Sequence, residues 1–74
     1  MRYKVNVVIE KDRHGYYAHV PALPGCQTQG DTFEDVLKNA REATRLYLRT
    51  LSRRERTSLL SKEILTTALE VSVA

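Results

Sequence analysis

One cysteine, two prolines, three glycines, one phenylalanine and no tryptophan are spread over 74 residues. Each scarcity excludes something. A lone thiol, Cys26, closes no internal disulfide and fits a reducing, cytoplasmic setting. A chain this short buries a smaller share of its surface than a large one, and no covalent staple helps it. Self-association, as a homodimer or higher homo-oligomer, or a partner is therefore expected. No apolar run is long enough to cross a bilayer, so no membrane partner is expected. The first residues, MRYKVNVVIEK, are charged and strand-like, so no secretory leader is expected. The charge balance is mild, 12 Lys and Arg against 9 Asp and Glu. Repeats and low-complexity tracts are absent, and one domain over residues 1–74 is expected.

What the chain does have is punctuation, concentrated in Val20 to Asp35, VPALPGCQTQGDTFED. Pro21 and Pro24 donate no backbone hydrogen bond and stop the strand before them. Pro24-Gly25 is a turn dipeptide. Cys26 to Gln29 reads as a short returning strand, ended by Gly30. Thr32 is placed to cap a helix, with Asp35 three residues on as a weak capping-box acid.

Upstream, Tyr3, Val5, Val7 and Ile9 alternate with mostly polar residues, the period of a half-buried strand over about 2–10. A charged link ending in Gly15 leads to a second strand, about 16–20, with Ala18 on one face and Tyr17 and His19 on the other. Downstream, Phe33, Val36, Leu37, Ala40, Ala43, Tyr47 and Leu48 recur at three and four, which predicts a main helix over about 33–51. Ser52-Arg53-Arg54-Glu55 is a capping-box pattern for a short second helix. Thr67, Leu69, Val71 and Val73 alternate with Ala68, Glu70 and Ser72, which predicts a last strand over about 67–73. The fold class is α+β, in the order β-β-β-α-(short α)-β. A right-handed crossover would give a mixed sheet of order 3-2-1-4 with one main helix on one face. Val8 and Tyr17 give the other face enough apolar character to pack on a second subunit.

Chemistry-bearing residues are few. If Val20 pairs with Cys26, the thiol is a small buried hydrophobe. If His19 pairs with Cys26, a Cys–His dyad forms on the open face. Apolar matching favours the first register, because a one-residue slip would turn Cys26 away from the core. His14, His19 and Cys26 could hold zinc in number, but their spacing is neither a helix-face pair nor a finger pattern. No catalytic residue, metal or cofactor is expected, and the chain does not read as an enzyme. Arg41, Arg45 and Arg49 form an i,i+4 ladder with Lys38, continuing into Arg53, Arg54 and Arg56. Such a ladder is either a solvated helix face or a contact for an acidic protein or nucleic-acid phosphate. With no aromatic interleaved, base stacking has no support. Tyr17, His19, Leu23, Arg41, Arg45 and Arg49 are the candidate partner contacts.

Pro21, Leu23-Pro24-Gly25-Cys26, Thr28, Gly30-Asp31-Thr32 and the acidic helix start Glu34-Asp35 resemble the signature of the HicB-like antitoxin family. The Gly15-Tyr16-Tyr17-Ala18 stretch is similar too, and the resemblance covers about Tyr3 to Leu51. It implies a truncated ribonuclease H-like fold. Ribonuclease H-like enzymes carry an acid in the middle of the first strand, where metal chemistry needs converging carboxylates. Here no acid lies between Tyr3 and Ile9, and Asn6 stands at the centre. The resemblance implies the antitoxin of a type II toxin–antitoxin pair. Such an antitoxin covers a small HicA-type toxin, an mRNA-cleaving ribonuclease, and blocks it sterically. Many members add a C-terminal DNA-binding domain; Ser52 to Ala74 is too short for a helix-turn-helix, so operator binding is not expected. The alternative is an orphan oligomeric binding module whose arginine edge contacts nucleic acid or an acidic protein.

Overall fold

A computed structural model describes residues 2–74 of the chain. Three strands come first: β1 (Val8–Asp12), β2 (Gly15–His19) and β3 (Gln27–Gly30). Two helices follow, α1 (Phe33–Arg49) and α2 (Arg53–Leu60). The strands form one antiparallel sheet in the order β1-β2-β3.

The pairing is set by two turns. Asp12 and Gly15 close the first hairpin, and Asp12 Oδ1 accepts a 2.7 Å hydrogen bond from the His14 amide. The second connection is the proline turn. There the Leu23 amide donates to the Val20 carbonyl and the Cys26 amide to the Leu23 carbonyl, both at 3.0 Å. Gly25 sits at φ +81°, where a side chain would be strained and glycine is not. The Val20 amide then donates to the Cys26 carbonyl at 2.9 Å, and Ala18 lies opposite Thr28. That is the register which sends Cys26 into the core.

Helix α1 starts where Thr32 Oγ1 accepts from the Asp35 amide at 3.0 Å. Its buried residues are Val36, Ala40 and Thr44, spaced by four along one face. Val36 and Ala40 pack with Ala18 of β2, flanked by Val7, Ile9 and Tyr16. A second cluster joins Val20, Leu23 and Cys26 to Tyr47, Leu48, Leu51, Leu59 and Leu60. Leu23 and Val36 have no exposed surface. Burying each side chain contributes roughly 1.5–3 kcal/mol.

Gly30 fixes the distance between sheet and helix. A Cβ built there would lie 2.6 Å from the Val36 nitrogen and 2.9 Å from its Cα. Two side-chain bonds brace the same junction. Asn39 Nδ2 donates to the Gln29 carbonyl at 2.8 Å, and the Tyr47 hydroxyl donates to the Pro24 carbonyl at 2.9 Å. Helix α2 opens with a complete capping box between Ser52 and Glu55. Its Arg56 Nε donates to the Leu48 carbonyl at 2.7 Å, which also accepts from the Leu51 amide at 3.1 Å, so α2 is tied to the end of α1.

The sheet order departs from expectation. The strand expected over about 67–73 is not formed, so the order 3-2-1-4 is not observed and β1 stays an edge. Residues from Lys62 onward have no regular structure, and Leu65, Leu69, Val71 and Val73 are about 80–90 % exposed. Alternation says which side chains of a segment share a face. It does not say which backbone edge the segment pairs with.

Candidate partner interface

The register divides the sheet into two unlike faces. Ile9, Ala18 and Thr28 lie across one another and face α1. Val8 lies opposite His19, Glu10 opposite Tyr17, and Tyr17 opposite Gln29 on the other face. No helix covers that second face among the described residues.

On this open face Tyr17 and His19 stand two residues apart on β2. Their rings are 6.1 Å apart and tilted by 32°. The Tyr17 hydroxyl donates to Gln27 Oε1 at 2.6 Å, which holds the ring across the β2–β3 ladder. Beside them lies a shallow hollow of about 350 Å³, bordered by Glu10, Tyr17, His19, Pro21, Pro24 and Gln27. A fixed aromatic, an imidazole and two rigid prolines around a hollow make a surface whose side chains lose little freedom on docking. Glu10 and Gln27 were not singled out from sequence, and Pro21 was read as a strand stop and part of the family signature rather than as a contact. Strand alternation identifies Glu10 as a neighbour of Tyr17 only once the hairpin register is known.

The expected contact residues therefore separate. Tyr17 and His19 lie on the open face. Leu23 does not lie on any surface: its side chain is fully enclosed with Val20 and Cys26, so it supports the proline turn from inside and presents nothing to a partner. Arg41, Arg45 and Arg49 are on α1, on the far side of the sheet. They border a larger groove of about 730 Å³ between α1 and the residues that lead into β1, walled by Val5, Val7, Leu37 and Leu48. Arg45 is engaged with Glu42 at 2.7 Å, a pair more than half exposed on both sides and so worth little to stability.

The alternative Cys–His dyad does not form. His19 pairs with Gln27 rather than Cys26, so imidazole and thiol point to opposite faces. Cys26 is buried, its sulfur 3.9 Å from Thr44 Oγ1. His14 stays in the hairpin turn, near the Arg13 side chain. No group of three His, Cys, Asp or Glu side chains converges among the described residues. Among titrating groups, Glu55 is shifted. The Ser52 amide, and then the Ser52 hydroxyl, hold its carboxyl below the ordinary value of 4.5. That is a cap feature, remote from the open face. No described helix is long and apolar enough to cross a membrane.

The family model described as the HicB_like antitoxin of bacterial toxin-antitoxin systems matches residues 3–70. A UPF0150 protein of Helicobacter pylori is 43% identical over 70 residues, covering 95% of this chain and 97% of that protein. A UPF0150 protein of Thermoplasma acidophilum is 51% identical over 51 residues, covering 68% of this chain and 74% of the relative. An uncharacterized 14.9 kDa protein of Haemophilus phage HP1 is 40% identical over 42 residues, which is 57% of this chain and 32% of that protein. No solved structure matches significantly.

Proposed function

Because the chain belongs to the HicB-like antitoxin family, we propose that it binds a small HicA-type mRNA-cleaving toxin as one domain and blocks it sterically. The observation that carries this reading is the open sheet face. It presents Tyr17, held by its bond to Gln27, beside His19 and the two prolines, with nothing packed on it among the described residues. Such a face lays a flat, partly apolar surface over an enzyme's RNA-binding side and excludes substrate. The work is done by coverage, so no bond is made or broken by this chain. Tyrosine at the centre of a docked patch is a typical anchor, because it supplies rigid area with a polar tip.

The test is co-purification with a HicA-type protein, taken from the neighbouring reading frame where one is encoded there, followed by a messenger-RNA cleavage assay. Stoichiometric chain should abolish cleavage. Tyr17→Ala and His19→Ala should each weaken inhibition at least tenfold while leaving the helical circular dichroism unchanged. Inhibition untouched by both substitutions would remove the open face from the mechanism. Cleavage that persists at excess chain would remove the antitoxin reading. Recovery of nucleic acid alone, lost as salt rises, would favour the arginine-bordered groove as the binding surface instead.

A further inference from the structure

The extended segment after α2 and the groove beside β1 are unsatisfied in complementary ways. Leu65, Thr67, Leu69, Val71 and Val73 alternate with Thr66, Ala68, Glu70 and Ser72. This is the period of a strand with one apolar face. Leu65, Leu69, Val71 and Val73 are 81, 80, 78 and 92% exposed. An apolar stripe of this length open to water is unusual in a soluble chain.

The groove offers what that stripe lacks. Strand β1 ends the sheet on its outer side, so its outward backbone groups have no strand partner. An edge of this kind is a template for pairing with another segment. Next to the residues that lead into β1, Val5, Val7, Leu37 and Leu48 wall a space of about 730 Å³. Val5 and Val7, which pack against the core, are only half-buried, and Leu37 is 39% exposed. The opposite edge, β3, gives no such opening. Helix α1 closes on it at Gly30, and Asn39 occupies the Gln29 carbonyl.

We propose that residues 64–73 of one copy pair along the edge formed by β1 and the residues leading into it in a second copy, and lay their apolar face into the groove beside those leading residues. The exchange is reciprocal, since every copy carries one such segment and one such groove, and a two-fold arrangement satisfies both at once. Two further observations favour this occupant. The segment projects away from its own sheet: the radius of gyration is 14.4 Å and the long axis 48 Å, where a compact chain of this size has a radius near ~11 Å. Charge also matches. The groove is bordered by Arg2, Arg41, Arg45 and Arg49, and Glu63 leads the same face of the segment as Leu65 and Leu69. The open face with Tyr17 and His19 stays free, so the inference stands apart from the toxin reading.

The experiment uses only the full chain. Light scattering should give twice the 8.5 kDa chain mass. In a sample mixing isotope-labelled and unlabelled chains, isotope-filtered NMR should show contacts from Leu69 and Val71 methyls to Leu37 and Leu48 of the other copy. The double variant L69D/V71D, outside every helix and strand, should return the mass to that of one chain. Leu37→Asp, at an exposed helix position, should do the same from the groove side. Both should keep the α1 helical signal. A single-chain mass for the unaltered protein would overturn the proposal. So would methyl contacts found only within one copy, or a dimer that survives both variants.

Discussion

Gly30→Ala tests how closely the sheet and α1 are fitted. Gly30 does not have positive φ, so the substitution carries no conformational penalty of the kind Gly25 would. Left to unfolded-chain entropy alone, alanine would stabilise by about 0.4–1 kcal/mol. Space decides the sign. The new Cβ would stand 2.6 Å from the Val36 nitrogen, and ordinary contact begins at 3.4 Å. The first turn of α1 must retreat by about 0.8 Å, from 2.6 Å to 3.4 Å. The obstructing atoms are backbone and cannot rotate aside. Retreat lifts Val36 from its fully buried site against Ala18 and stretches the Asn39–Gln29 bond. Overpacking of this kind costs about 1–3 kcal/mol, which outweighs the entropic gain. For a chain of this size each kcal/mol moves the midpoint by roughly 4–8 °C. Thermal unfolding followed by circular dichroism should therefore show a fall of about 5–15 °C. Gly25→Ala is the control: nothing lies within 4 Å of its Cβ, and only the φ of +81° opposes it, a cost of about 1–2 kcal/mol. A Gly30→Ala midpoint equal to or above that of the parent would refute the close fit.

Three further outcomes follow from particular contacts. Tyr47→Phe removes the hydroxyl that donates to the Pro24 carbonyl at 2.9 Å; it should cost about 0.5–1.5 kcal/mol in urea unfolding, with the slope unchanged. Cys26, 6% exposed, should react with a thiol reagent only as fast as the chain opens, and at once in denaturant; immediate reaction in native buffer would contradict its burial. Glu55 should titrate by NMR below 4.5, because its ionised form accepts from the Ser52 amide. A lowered folded-state value means that the cap's contribution is full above 4.5 and is lost as pH falls through the lower folded value. Ser52→Ala should carry the Glu55 titration back towards 4.5 and fray α2.

The elements legible in the sequence were those defined by local chemistry. Thr32 and Ser52 are cap residues with acids three positions on, and both helices begin there. Pro24-Gly25 forces a turn wherever it stands, and the turn brings Val20 opposite Cys26. Apolar matching was enough to choose that register over the one giving a Cys–His dyad. What was not legible depends on distance between elements. Gly30 reads from sequence as a strand terminator. In the fold it lies at the end of β3 and its role is to admit the backbone of α1. Leu23 looks like a surface residue because it sits between prolines in a turn. It is enclosed because the turn folds over Tyr47 and Leu48. The last segment has a clear strand pattern and no assigned edge, so its pairing is a question of partner rather than propensity.

The same distinction bears on charge. A net charge of +3 argues at first against blocking a basic RNA-binding enzyme, since complementary charge steers association. But a partner meets a local surface, not a sum. Arg41, Arg45 and Arg49 border the groove on the helix side. The hollow on the open face is bordered by Glu10 and carries no Arg or Lys. Within about 8–10 Å, the range over which exposed charges act at ordinary ionic strength, a docked toxin would sense Glu10 before it sensed the arginine ladder. The excess of positive charge is spent where Glu63 of another chain would meet it. Glu10→Lys, a change confined to the open face, should then slow association of a basic toxin, whereas Arg45→Glu, remote from that face, should change it little, the two altering net charge by equal amounts in opposite directions. Stopped-flow association rates at low and moderate salt measure this directly. Acceleration by Arg45→Glu larger than the slowing by Glu10→Lys would place the toxin on the groove and not on the sheet.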